Sequence, residues 1–198
     1  KSEEEILSIR GQMGFPIVLK ADGLAAGKGV LICNNDIELN SAIDDMLTSK
    51  KFGNASNKIS VEEFLYGEEV SVFAICDGSN YKIISSAQDH KRVFDNDKGP
   101  NTGGMGAYSP APIFNDVLKE KVEETILKPI LNAMSKEGSP YKGFLYLGLM
   151  ISEGDPYVIE FNVRLGDPEA QVILPLFNSS VFDLMLASIN ERIDEINF

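Results

Sequence analysis

Tyr157-Val-Ile-Glu-Phe-Asn-Val-Arg164 reads as a β-strand with two unlike faces. Side chains alternate across a strand, which predicts that Ile159, Phe161 and Val163 point into a core and that Glu160, Asn162 and Arg164 point the other way. A carboxylate and an amide oxygen two residues apart suit a hard cation such as Mg2+, which commonly completes its shell with substrate phosphates. A guanidinium on the same face can hold a phosphate or carboxylate through two parallel hydrogen bonds. The plainer reading is a solvated strand face. Leu165-Gly-Asp-Pro-Glu169 weighs against it, because it adds two carboxylates, Asp167 and Glu169, at a turn directly after the strand.

The rest of the 198-residue chain bounds what such a strand can serve. Its length allows one large domain or two small lobes, and 43% hydrophobic residues make it globular. A formal charge of -12 excludes a general nucleic-acid binder, although a small pocket can be locally basic inside an acidic protein. Cys33 and Cys76 lie in apolar runs without zinc or disulfide spacing, so both are expected as reduced core residues. No signal peptide or long apolar segment is present, which gives the expectation of a cytoplasmic protein with no membrane partner. The chain opens inside a helix and ends without a tail, as expected of a piece of a longer protein.

Local signals predict the elements in order. Ser2-Glu-Glu-Glu5 is a capping box, and Gly14 ends the helix it starts. Ile17–Lys20 and Val30–Cys33 are short strands around a small-residue loop. Asn35 caps a helix with Glu38 three residues on, and Leu39, Ile43, Met46 and Leu47 line one face. Lys58–Phe64, Glu69–Cys76 and Tyr81–Ala87 read as strands. From Gln88 to Pro112 no regular pattern appears, which predicts a long loop, either functional or disordered. Val122, Ile126, Ile130 and Met134 form a helical stripe with a kink expected at Pro129. Phe144–Ser152 and Pro156–Arg164 form a hairpin. A last helix from Ser180 is expected to bury Phe182, Met185, Leu186 and Ile189. The division falls near residue 64, with a small lobe at 1–64 and a larger one at 65–198.

Three further stretches carry candidate chemistry. Asp22-Gly-Leu-Ala-Ala-Gly-Lys-Gly29 allows backbone N–H groups to approach a phosphate, with Lys28 adding charge and Lys20 on the strand before it. It is neither a P-loop nor a dinucleotide fingerprint, because the glycine spacing differs and a strand follows. It reads instead as a flap between antiparallel strands; the plain alternative is a flexible hairpin. Val61-Glu-Glu-Phe-Leu-Tyr-Gly-Glu-Glu69 has backbone groups that can pair with an adenine edge, yet taken alone it reads as an edge strand with solvated acids. Gln88-Asp-His-Lys-Arg92 and Gly99-Pro-Asn-Thr-Gly-Gly-Met-Gly106 bring His90, Lys91, Arg92 and Lys98 together as an anion-binding region or a solvated loop.

This order of parts resembles the ATP-grasp ligases, and more narrowly the phosphoribosylamine–glycine ligases (glycinamide ribonucleotide synthetases) of purine biosynthesis. The matching stretches are Lys20–Gly29, Gln88–Arg92, Gly99–Pro110, Gly143–Tyr146 and Ile159–Glu169. The resemblance implies an α+β ATP-grasp fold of two lobes with antiparallel sheets and ATP bound between them. It implies ATP and Mg2+ or Mn2+ as cofactors, and glycine and 5-phosphoribosylamine as substrates. By that likeness Lys20, Gly23, Ala26, Gly27, Lys28 and Gly29 meet the ATP phosphates. Glu62, Glu63, Phe64 and Leu65 flank adenine, and Glu69 holds ribose. Glu160 and Asn162 bind the metal. Arg164, Asp167 and Glu169 face the acceptor as catalytic residues. Asp89, His90, Lys91, Arg92, Asn101, Thr102, Gly103, Gly104, Met105 and Gly106 line the substrate pocket.

Two departures from the family's pattern stand out. The family carries N-terminal and C-terminal domains that this sequence lacks, so flanking domains of the same enzyme are expected partners. Many ATP-grasp enzymes also place an acidic metal ligand on the preceding strand, where Leu147, Leu149 and Ile151 are expected here. The competing readings are an ATP-binding module without turnover of its own and a ligase for another carboxylate–amine pair. A glycosidase built on the paired acids leaves the glycine flap and the lysines unexplained.

Overall fold

The computed structural model describes residues 1–25, 29–95 and 98–197, with the side chains of positions 91, 92, 98, 100, 101 and 103 left aside. The chain forms two compact units, Lys1–Leu65 and Tyr66–Phe198.

The first unit is a three-stranded antiparallel sheet with two helices on one face. Helix α1 (Glu3–Met13) begins at a complete capping box between Ser2 and Glu5 and ends at Gly14, whose φ of 79° favours glycine. Helix α2 (Asp36–Ile43) is capped by Asn35, whose side chain accepts from the Glu38 N–H, and runs into a π-helical turn at Asp44–Thr48. Strands β1 (Ile17–Ala21), β2 (Val30–Cys33) and β3 (Ile59–Glu63) lie in the order β2-β1-β3. Ile17 and Leu19 point into a core with Ile6, Cys33, Leu39, Ile43 and Met46. Alternation therefore sends Val18 and Lys20 to the opposite face.

The second unit is built on a five-stranded antiparallel sheet in the order β6-β5-β4-β7-β8. Strand β4 (Glu68–Asp77) is central and buried on both faces from Val70 onward. On one face, Val70, Val72, Ala74 and Cys76 pack with Leu145, Leu147 and Leu149 of β7 (Lys142–Ser152) against helices α3 (Asp116–Val122) and α4 (Lys128–Lys136). A π-helical turn, Glu123–Leu127, joins those helices just ahead of Pro129, in the region where the sequence predicted a kink. On the other face, Phe73, Tyr146 and Ala87 meet Ile173 of α5 (Glu169–Ile173), and Ile75 meets Leu184 and Ala187 of α6 (Val181–Ile189).

Three sequence expectations are corrected here. The segment 88–112 is not an irregular loop. Strand β5 runs from Tyr81 to Phe94 and pairs with β6 (Lys98–Tyr108) as a long hairpin. Its register slips on either side of Arg92, and Gly99, Gly104 and Gly106 have positive φ. Bulges and glycines erase the alternation by which strands are recognised. The apolar residues of β8 (Asp155–Asn162) are not ordinary core. This strand lies at the sheet edge, Phe161 is 40% exposed, and Val163, beyond the strand end, is 72% exposed. Finally, α6 buries Leu184, Ala187 and Ser188, whereas Phe182, Met185, Leu186 and Ile189 are exposed. The helix is apolar around most of its circumference, so periodicity selected the wrong stripe.

Both cysteines are free and buried. Burial first, with Glu38 nearby, pushes the Cys33 thiol up to about 11, and burial with Asp77 pushes Cys76 up to about 12, so neither is a ready nucleophile. Among the described residues no single helix is long and apolar enough to cross a membrane.

Asp77 ties the end of the chain to this sheet. One carboxylate oxygen accepts from the Ser79 and Asn80 N–H groups at 3.0 and 2.7 Å, and the other accepts from the Ile193 N–H at 3.2 Å. Burial raises its pKa, but the three backbone donors more than offset this and hold it below the ordinary carboxylate value. The stability it adds is complete above the unfolded-state pKa and is lost as pH falls through the lower folded value. Asp77→Ala, which orphans three donors, should cost about 3 kcal/mol at pH 7. Urea unfolding at pH 7 and pH 2.5 checks this, and the difference from wild type should shrink at the lower pH.

Candidate functional site

In the first unit Lys20 projects from the face of β1 opposite the helices. Its Nζ lies 2.6 Å from Glu62 Oε2, and Ser60 Oγ donates to Glu62 Oε1 at 3.1 Å. The register explains the meeting, since Val18 faces Glu62 and Lys20 faces Ser60 across the β1–β3 pair. The glycine loop is anchored at its base. The Gly23 N–H donates to Ala55 O at 2.9 Å, Asp22 N–H to Lys58 O at 3.0 Å, and Ala21 N–H to Gly29 O at 2.8 Å. A Cβ on Gly23 would fall 2.6 Å from Ala55 Cα, so only glycine allows that approach. Ala26, Gly27 and Lys28 lie outside the described residues. Glu63 closes β3, and Phe64 and Leu65 follow it to the end of this unit.

In the second unit a pocket of about 290 Å³ opens on the sheet face that carries α5. Asp89 of β5, Thr102 of β6, Glu160 and Asn162 of β8, Arg164 and Asp167 of the following turn and Glu169 at the start of α5 all line it, together with Tyr146. The structure thus brings together seven candidate residues from three separate stretches of sequence.

The pairing of β7 with β8 decides which groups meet. A bulge between Gly148 and Leu149 leaves Ile159 as the extra residue, and sets Gly148 opposite Glu160 and Tyr146 opposite Asn162. Leu147 and Leu149 face the other side, in the α3–α4 core, so the expectation that they and Ile151 neighbour the metal residues is corrected. A Cβ on Gly148 would sit 3.1 Å from Glu160 Cγ, so the glycine leaves room for the glutamate stem to lie across β7. Tyr146, Leu165 and Gly166 line the pocket but were missed by sequence reasoning, and Tyr146 is the polar one among them. Straight counting back from the hairpin turn misplaces it by one residue.

Asn162 Nδ2 donates to Glu160 Oε1 at 2.9 Å, so amide and carboxylate converge on one point. Turned about its terminal bond, the amide offers its oxygen there instead. Two hard oxygen donors fit a divalent cation that takes its remaining ligands from phosphates and water. Among the described residues no cluster of three or more His, Cys, Asp or Glu is arranged to hold a metal.

Arg164 lies beyond the end of β8, not on it, and its Nη1 donates to Leu165 O at 3.1 Å. Asp167 Oδ1 accepts from Gln171 Nε2 at 2.8 Å. Glu169 is 3% exposed and bonded inward to Tyr146 and Ser71. Among the other candidates, His90 packs near the Tyr108 ring with centroids 5.7 Å apart, and Met105 is exposed. Gly104 packs closely on Pro168, where a Cβ would fall 2.7 Å from Pro168 Cδ. Gly106 pairs with His90, and Arg92 pairs with Asn101 in the backbone ladder. The side chains of Lys91, Arg92 and Asn101, and the surroundings of Gly103, lie outside what is described. The Glu69 carbonyl accepts from Gln88 Nε2 at 3.0 Å, fixing the start of β4 to β5.

Comparison with known proteins matches this arrangement. The family model described as "Phosphoribosylglycinamide synthetase, ATP-grasp (A) domain" matches residues 1–170. The phosphoribosylamine–glycine ligase of Vibrio parahaemolyticus is 49% identical over 194 residues, covering 98% of this chain and 45% of the relative. That of Chlorobaculum tepidum is 49% identical over 184 residues, covering 93% of this chain and 43% of its own. The crystal structure of phosphoribosylamine–glycine ligase from Thermotoga maritima superposes with a TM-score of 0.89 at 39% identity, covering 96% of this chain and 48% of that one. The chain thus spans a little under half the length of these relatives. A mixed α and β architecture with antiparallel sheets agrees with the match, and the chain belongs to the phosphoribosylglycinamide synthetase ATP-grasp (A) domain family.

Proposed function

We propose that this chain is the ATP- and metal-binding core of a carbon–nitrogen ligase that joins glycine to 5-phosphoribosylamine, giving glycinamide ribonucleotide, ADP and phosphate. The observation that carries the reading is the pocket in which the oxygen pair of Glu160 and Asn162 adjoins Arg164, Asp167 and Asp89. Residues 1–64 act as the flap-bearing lobe and 65–198 as the metal and acceptor lobe. The further length of the relatives completes the phosphoribosylamine site. Two buried, reduced thiols accord with a cytoplasmic location.

The reaction must bring two anions together, the glycine carboxylate and the triphosphate. A carboxylate oxygen attacks the γ-phosphorus, ADP leaves, and the amine then displaces phosphate from the glycyl phosphate. Lys20 and the backbone of Gly23–Gly29 hold the phosphates, while the chain from Glu62 to Leu65 meets adenine and Glu69 meets ribose. Glu160 and Asn162 would hold a Mg2+ or Mn2+ ion, which when bound supplies positive charge against the phosphate oxygens. Arg164 offsets the charge of the carboxylate and of the transferring phosphoryl group. Asp167 and Asp89 suit the ammonium end of glycine. The β5–β6 hairpin, from Asp89 to Gly106, walls the acceptor side. The glycine flap excludes water that would hydrolyse the acyl phosphate.

The test is ADP release measured with each substrate omitted in turn. Release that needs both glycine and phosphoribosylamine is the expected result. Release with a different carboxylate in place of glycine overturns the substrate assignment. ATP binding without any turnover leaves the chain as a nucleotide module of a longer enzyme. Lys20→Met should lower ATP affinity about tenfold, since one charge-assisted contact to phosphate is worth roughly 1.5 kcal/mol. Its partly exposed pair with Glu62 adds less than about 1 kcal/mol to the fold, so calorimetry should show weaker binding by a protein that melts almost unchanged.

A further inference from the structure

Three buried polar groups connect the pocket to the middle of the sheet. Ser71 of β4 and Tyr146 of β7 are each 4% exposed, and Glu169 at the start of α5 is 3% exposed. The Tyr146 hydroxyl donates to Glu169 Oε1 at 3.2 Å. Ser71 Oγ lies 2.7 Å from the Tyr146 oxygen and 3.4 Å from the same carboxylate oxygen, so its single proton serves either acceptor. Burial, the largest influence, pushes the Tyr146 hydroxyl far above the ordinary phenol range, which keeps it a donor.

The other carboxylate oxygen lies against the turn. A Cβ on Gly166 would fall 2.1 Å from Glu169 Oε2 and 2.4 Å from Cδ, so the turn that carries Arg164 and Asp167 is wound directly onto the carboxylate. Ala170 N–H donates to Gly166 O at 2.9 Å and closes it. On the opposite side, the Tyr146 ring stands edge-on to Phe73 with centroids 4.9 Å apart. Its Cε1 is 3.4 Å, and Glu160 Cγ 3.1 Å, from the point where a Gly148 Cβ would sit. One tyrosine therefore adjoins both halves of the pocket: it pairs with Asn162 of the metal strand in the backbone ladder, and its hydroxyl bonds Glu169 at the end of the acceptor turn.

We propose that Tyr146 and Glu169 are positioning residues: with Ser71 they form a buried hydrogen-bonded clamp that sets the Arg164–Pro168 turn at a fixed distance from Glu160 and Asn162. Glu169 then acts through the turn and does not touch substrate, which revises its expected catalytic role. The clamp rests on the proposed ligase reading for its purpose, since it would fix the acceptor carboxylate relative to the γ-phosphate.

Two readouts test it. In hydrogen–deuterium exchange, Tyr146→Phe and Glu169→Ala should each raise exchange in peptides covering residues 164–171 by about tenfold, with β4 and β7 unchanged. Glu169→Gln keeps an oxygen acceptor for both hydroxyls and should stay within about twofold of wild type. In turnover by the enzyme with its flanking regions, the same two damaging variants should raise the KM for glycine about tenfold, with the KM for ATP within about twofold. Unchanged exchange at 164–171 overturns the clamp, as does exchange there that rises only in step with β4 and β7. A wild-type enzyme without glycine-dependent turnover defeats the ligase reading, while the exchange data still decide the clamp.

Discussion

Glu160→Gln should weaken binding of metal-ATP by about a hundredfold while ATP without metal binds as before. The substitution keeps the shape and the exposed position on β8 but removes the only formal negative charge of the Glu160–Asn162 pair. A divalent cation held by two protein oxygens depends heavily on that charge, and loss of roughly 2.7 kcal/mol corresponds to the hundredfold. The fold should be indifferent, because Glu160 is exposed at a sheet edge and its only described partner is the neighbouring amide. Calorimetric titration of ATP with and without Mg2+, set beside a melting curve, separates the two effects. Equal metal dependence in variant and wild type would remove Glu160 from the metal site.

Gly67→Ala should be among the most damaging single-methyl changes in the second unit. A Cβ there would fall 2.1 Å from the carbonyl oxygen of Ile151 and 2.8 Å from its carbonyl carbon. Both are backbone atoms of β7, held by pairing of Ile151 with Glu68 and Pro156, so no flexible side chain can swing away. Forcing the strands apart costs about 3 kcal/mol, against which alanine gains about 0.5–1 kcal/mol by restricting the unfolded chain. The net loss of roughly 2 kcal/mol should appear as a lower urea midpoint with an unchanged slope. A midpoint within error of wild type would mean that β7 relaxes at this point.

The parts of the fold that the sequence announces are those decided locally. Ser2 with Glu5, and Asn35 with Glu38, start helices through bonds spanning three residues, and both appear as read. The hairpin through Glu153-Gly-Asp155 is equally local. Failures cluster where distant pairing or a bulge overrides the pattern. Gly99 to Gly106 has almost no β propensity, and becomes a strand because β5 supplies its hydrogen-bond partners. The extra residue at Ile159 shifts the β7–β8 register by one, which exchanges Leu147 for Tyr146 and Gly148 beside the Glu-x-Asn pair. Nothing in the local sequence marks that bulge. The Glu169 carboxylate was legible as a candidate, but its inward bonds to β4 and β7 join residues 98 and 23 positions apart and are visible only in the fold.

The central claim is that the Glu160–Asn162 strand of the second unit binds a nucleotide through a divalent metal. Calorimetric titration of ATP into the folded chain, with Mg2+ and then with a chelator, tests it most directly. The account predicts one site per chain whose affinity falls about a hundredfold or more when the metal is removed. Binding of equal strength with and without metal, or no binding by a chain shown to be folded, would contradict it.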